Sequence, residues 1–124
     1  MGETMAILKV LLVDDEIEFV STLSKRLKLR GFDSEYATSG EEALICVRDN
    51  DYDIVILDIN MPGIRGVELI EKMETYKKDM KFILVTGYGD SHEVSTDIRE
   101  KSSGLLVKPI DIKVLIEKMK EVSE

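Results

Sequence analysis

The stretch Tyr52–Gly66, YDIVILDINMPGIRG, decides how the chain is read. Ile54 to Leu57 are four consecutive β-branched or leucine residues, a run that suits a strand buried on both faces in the middle of a parallel sheet. The run stops at Asp58, and Pro62-Gly63 beyond it marks a tight turn. Open α/β sheets place their chemistry at the carboxyl ends of the strands, so Asp58 reads either as a turn-initiating cap or as a functional carboxylate. The flanking sequence decides between the two.

Towards the N-terminus, Leu8 to Val13 is a first apolar run, ending in Asp14 and Asp15. Ile17, Val20, Leu23 and Leu27 then recur at a helical period, with Gly31 as a C-terminal cap. Asp33 to Ala37 reads as a short second strand, and Ser39 with Glu42 as a capping box opening a second helix through Ala43, Leu44 and Val47. Towards the C-terminus, Val67, Ile70 and Met73 mark a third helix to about Lys77, and Lys81 to Thr86 is a fourth strand. Ser91 to Lys101 predicts a fourth helix whose apolar contacts are nearly confined to Val94 and Ile98, which makes it the expected loosest element. Gly104 to Val107 gives a fifth strand, and Asp111 caps a last helix through Ile112, Leu115, Ile116 and Met119. Five strand-helix alternations imply an α/β fold, a doubly wound five-stranded parallel sheet with helices on both faces.

A chain of 124 residues is the size of one domain. The expectation is a single domain over 1–124, with 1–6 a flexible lead and no output domain in this chain. No apolar run is long enough to span a bilayer, and the MGETMAILK start lacks the pattern of a secretory signal, so no membrane association and a cytoplasmic location are expected. A net charge of −8 repels phosphate backbones, which argues against direct nucleic-acid binding. The single cysteine, Cys46, has no internal disulfide partner and is expected to pack as a small hydrophobe.

The strand ends carry the remaining information. Asp14 and Asp15 follow the first strand, Asp58 the third, Thr86 the fourth and Lys108 the fifth. In a parallel sheet these ends share one edge. Singly, each has an ordinary structural reading; jointly, three carboxylates from two strands repel one another in a partly desolvated place and require a cation. Lys108 supplies one positive charge. Oxygen ligands without nearby His or Cys suit a hard divalent ion, Mg²⁺ in preference to Ca²⁺ because no dense oxygen cage surrounds them.

Four motifs, VDDE at Val13–Glu16, LDINMPG at Leu57–Gly63, VTGYGD at Val85–Asp90 and VKP at Val107–Pro109, occur in this order at those strand ends. With them the chain resembles, over essentially its whole length, the CheY-like receiver domain of two-component response regulators. The resemblance implies a flavodoxin-like strand order, 2-1-3-4-5. It implies that Asp58 accepts a phosphoryl group from a phosphohistidine of a sensor histidine kinase or histidine phosphotransfer protein, and that the modified domain acts on a downstream protein. It further implies that Asp15, Asp58 and the backbone carbonyl of Asn60 bind Mg²⁺ directly and Asp14 through water. Thr86 and Lys108 would contact the phosphoryl oxygens, with a cis peptide at Lys108-Pro109. The chemistry agrees: phosphoryl transfer asks for an aligned nucleophile and cations on the equatorial oxygens, and a carboxylate nucleophile needs no general base.

The chain departs from the family pattern at Leu105, where receivers commonly carry an aromatic switch residue. Asn60 and Tyr88 occupy positions that modulate dephosphorylation in the family. His92, on the polar fourth helix, reads as solvent-facing, not as a phosphoryl carrier. Two other readings compete: a receiver-like docking domain that is never phosphorylated, which the intact acidic and lysine positions oppose and Leu105 favours, and an aspartate-nucleophile phosphohydrolase. The hydrolase usually needs a second acid two residues after the nucleophile, where this chain has Asn60. Nucleotide binding is disfavoured because VDDE stands where a glycine-rich phosphate loop would be required. Apart from its own phosphorylation and autodephosphorylation, the chain is not expected to be an enzyme.

Overall fold

The computed structural model describes residues 7–87 and 96–124. The expected lead 1–6, Tyr88, His92 and Val94 lie outside them. The order of elements is β1 (Lys9–Val13), α1 (Ile17–Leu29), β2 (Asp33–Ala37), α2 (Gly40–Asp49), β3 (Ile54–Asp58), α3 (Gly66–Tyr76), β4 (Lys81–Thr86), α4 (Thr96–Lys101), β5 (Gly104–Val107) and α5 (Ile112–Ser123). The five strands pair in parallel in the order β2-β1-β3-β4-β5. This is the doubly wound sheet that the alternation of elements predicts.

Side chains alternate across the sheet with the period of two that a strand imposes. Leu11, Val13, Val55, Leu57, Phe82 and Leu84 pack against α2, α3 and α4, whereas Val10, Leu12, Ile54, Ile56, Ile83 and Val85 pack against α1 and α5. Every residue of β3 is buried. The run of four apolar residues before Asp58 therefore serves two cores at once, and Asp58 is fixed at the end of the most constrained strand in the molecule.

Local signals set the boundaries. Gly31, at φ 92°, closes α1 as a Schellman motif, with its N–H on the Lys28 carbonyl and the Phe32 N–H on that of Leu27. The Ser39 hydroxyl accepts from Glu42 N at 3.1 Å, as the capping box predicts. The reciprocal arm differs, because Glu42 Oε1 accepts from the backbone N–H of Thr38, one residue before the cap. Asp111 caps α5 by accepting from Lys113 N at 2.8 Å. Of the fourth helix expected from Ser91, the described part is Thr96–Lys101. Its Ile98 is buried in the core that α2 and α3 share. A side chain on Gly66 would meet Ile98 Cδ1 at 2.7 Å, so the glycine admits α4 to this place.

Candidate functional site at the carboxyl ends of the strands

Asp14 follows β1 directly, and its side chain is folded back into the molecule at 4% exposure. Its Oδ1 accepts from Glu16 N at 2.9 Å, a local turn that leads the chain into α1. Asp58 ends β3 at 6% exposure, and its Oδ1 accepts from Asn60 N at 2.9 Å. Thr86 ends β4 with no exposed surface. One strand further, Lys108 N donates to the Thr86 carbonyl at 2.8 Å, and the Lys108-Pro109 peptide is cis.

The Lys108 ammonium is the centre of the site. Nζ lies 2.8 Å from Asp14 Oδ2, 2.8 Å from Glu16 Oε1 and 3.2 Å from Asp58 Oδ2. An ammonium has three protons, so these acceptors account for its donors. The ring of Phe19, 4.9 Å from Nζ to its centroid, adds a cation–π contact. Burial works against the charge of Lys108, yet its hydrogen bonds to Asp14 and Glu16 and the Asp58 charge outweigh that and push its pKa above the ordinary lysine value. Asp14 is shifted upwards as well: burial, and secondarily the nearby Asp58 charge, exceed what the Lys108 and Glu16 hydrogen bonds give back. Three carboxylates thus face one ammonium, with an excess of negative charge when all are ionised.

The carboxylates of Asp14, Glu16 and Asp58 offer oxygens within 4.8 Å of one another, whereas Asp15 is exposed and outside this group. Glu16 is the one member of this group that the sequence does not single out, since its contact with Lys108 is made only in the folded chain. The set of hard oxygen donors with surplus charge fits Mg²⁺. Thr86 reaches the site by a further route: its Oγ1 is 3.1 Å from Asn60 Oδ1, which also accepts from Gly87 N at 2.9 Å. Leu105, at the expected switch position, is half-buried and packs on the core shared by α2, α3 and α4.

A five-stranded parallel sheet with buried acids and a lysine at its carboxyl edge defines a class, and the sequence matches that class directly. Over residues 10–120 it fits the response regulator receiver domain, and the chain belongs to that family, whose members are phosphorylation-based modules of two-component signalling. Among curated relatives, the transcriptional regulatory protein CpxR homolog of Haemophilus influenzae is 32% identical over 114 residues, 92% of this chain and 49% of the relative. The response regulator SaeR of Staphylococcus aureus is 31% identical over 107 residues, 86% of this chain and 46% of the relative. The chain spans about half the length of these relatives. Among solved structures, the response regulator TrrA of Thermotoga maritima in complex with Mg²⁺-BeF is 37% identical, with a TM-score of 0.81 over 94% of this chain and 99% of that one. The CheY-like receiver domain from Methanospirillum hungatei is 28% identical, with a TM-score of 0.83 over 94% and 93%. Among the described residues, no helix is long and apolar enough to cross a membrane.

Proposed function

We propose that Asp58 is the phosphoacceptor of this receiver and that its modification is the signal the domain passes on. The observation that carries the reading is the placement of a buried Asp58 carboxylate 3.2 Å from the Lys108 ammonium, beside Asp14, at the end of the central strand. A carboxylate oxygen of Asp58 attacks the phosphorus of a phosphohistidine on a sensor kinase or phosphotransfer protein; the P–N bond breaks and the imidazole leaves. The product is an acyl phosphate. Lys108 is placed to neutralise a phosphoryl oxygen, and Thr86, from the neighbouring strand, to donate a hydrogen bond to another.

Asp14, Asp15, Asp58 and the Asn60 carbonyl would hold Mg²⁺ at this edge, with Glu16 within reach of the same place. Bound there, Mg²⁺ would supply positive charge to the transferring group. Support comes from the donor set itself and from the TrrA relative solved with Mg²⁺-BeF. Catalysis is confined to the domain's own phosphorylation and dephosphorylation, and the output is binding to a downstream protein.

Incubation with Mg²⁺ and a small acyl phosphate donor, followed by intact-mass measurement, tests the assignment. Wild type should carry one labile adduct that requires Mg²⁺, and Asp58→Asn should carry none. An unmodified wild type across several donors, or an adduct that survives in Asp58→Asn, would overturn it.

A further inference from the structure

Asn60 holds two parts of the site at once. Its backbone N–H is on Asp58 Oδ1 at 2.9 Å, while its side-chain Oδ1 receives Gly87 N at 2.9 Å and lies 3.1 Å from Thr86 Oγ1. The Gly87 N–H can only donate, which fixes the amide of Asn60 with its oxygen, not its NH₂, towards β4. The Thr86 hydroxyl must then donate to that same oxygen. A hydroxyl has one proton and a backbone amide has one. While these bonds stand, neither Thr86 nor Gly87 can donate to a group on Asp58.

We propose that Asn60 is a latch: its side-chain oxygen holds the Thr86 hydroxyl and the Gly87 N–H in the free protein and has to release the hydroxyl when Asp58 carries a phosphoryl group. Asn60 is a positioning residue in this scheme, opposing capture of the phosphoryl group through Thr86. The backbone of Thr86 has little freedom to assist, because its carbonyl is fixed by Lys108 N and its register against Val107 by the sheet. Release is therefore a rotation of the Thr86 side chain away from Asn60. The inference rests on the reading of Asp58 as phosphoacceptor and adds to it what the neighbouring strand does beforehand.

Stabilisation of a loop and latching predict opposite signs. If Asn60 only supports the structure, its removal weakens the site; if it competes for the hydroxyl, its removal strengthens it. The experiment is a titration of wild type, Asn60→Ala, Thr86→Val and the double variant with Mg²⁺ and beryllofluoride as phosphoryl mimic, followed through backbone amide resonances. Release of one hydrogen bond predicts about fivefold tighter binding for Asn60→Ala. The gain should shrink in the Thr86→Val background, and the Gly87 amide of ligand-free Asn60→Ala should exchange faster than in wild type.

Equal or weaker binding by Asn60→Ala, or the same gain with and without the Thr86 hydroxyl, would remove the latch while leaving Asp58 in its role. If Asn60→Ala loses its folded spectrum, Asn60→Ser, whose hydroxyl is too short to span to β4, gives the same comparison. Failure of wild type to bind the mimic would instead sink the Asp58 reading, and the latch with it.

Discussion

The two ends of the sheet treat polar groups in opposite ways. At the amino ends of the strands each donor has an acceptor of its own: Lys9 N donates to Asp53 Oδ2 at 2.8 Å, the Tyr52 hydroxyl to Glu35, and the Lys9 ammonium lies 5.3 Å from the centroid of the Tyr52 ring. Lys77 reaches across from the end of α3 to the Val47 carbonyl at 3.2 Å and to Asp51 at 3.2 Å, closing the exposed end of α2. At the carboxyl ends, three carboxylates converge on the single ammonium of Lys108. Buried charge without balanced partners is costly, so a chain shaped for stability alone would not place Asp14 beside Asp58. The amino end is built to hold the fold, and the carboxyl end keeps an unbalanced charge available to a cation and a phosphoryl group.

The largest test of this contrast is Lys108→Met without divalent metal. Removing the shared ammonium leaves Asp14 and Asp58 uncompensated, and urea unfolding should show a loss of about 2 kcal/mol, reduced from the full cost of a buried pair because Glu16 is exposed. Mg²⁺ should then stabilise this variant by more than it stabilises wild type. No loss in the metal-free protein would mean that the carboxyl end is balanced after all.

Neutralising one acid at each end should give opposite signs. Asp14→Asn keeps an oxygen for Glu16 N but lowers the surplus charge, and should raise metal-free stability by about 1 kcal/mol. Asp53→Ala strips the acceptor from Lys9 N and should lower stability, by about 0.5 kcal/mol because that bond is exposed. Two losses of equal size in thermal or urea unfolding would erase the distinction between the ends.

Equal in size to the Asp14→Asn effect is Tyr52→Phe, with a loss of about 1 kcal/mol at neutral pH for a part-buried hydroxyl bond. Burial, and then the bond to Glu35, push the Tyr52 phenol above its ordinary pKa. A folded-state value raised above the unfolded one means that this stabilisation is fully present below the unfolded tyrosine value of about 10 and is lost as pH rises from there towards the folded value. Wild type should therefore lose stability in alkali more steeply than Tyr52→Phe, and the difference between the two should narrow in urea midpoints taken across that range. Parallel curves would show that the phenol titrates alike in both states. Cys46, half-buried and packed against the same core, has its thiol pushed up by burial, in keeping with the expected role as a small hydrophobe.

Much of the fold is legible because each element carries a local signal that survives packing. The apolar run of β3 and the turns at Gly31 and Ser39 depend on neighbours a few residues away, and β2 lies where weak alternation puts it. The site is legible in part for a similar reason: Asp58, Thr86 and Lys108 are marked by where apolar runs stop. Asp15 keeps its expected place beside Asp14 at the end of β1, exposed at the edge of the site. Phe19 gave no signal as a partner of Lys108, since a phenylalanine in the first turns of an amphipathic helix reads as core.

The sequence by itself determined the order of strands and helices, the burial of β3 and the residues that end each strand, because hydrophobic period and turn chemistry are short-range properties. Only the tertiary structure decided that Glu16 joins Asp14 and Asp58, that one lysine serves all three, and that Asn60 holds Thr86 and Gly87. Those contacts join residues far apart in the chain, Lys108 and Glu16 being separated by 92 positions. Their partners are selected by which strand edges the sheet brings together and by the direction each side chain takes on leaving its strand.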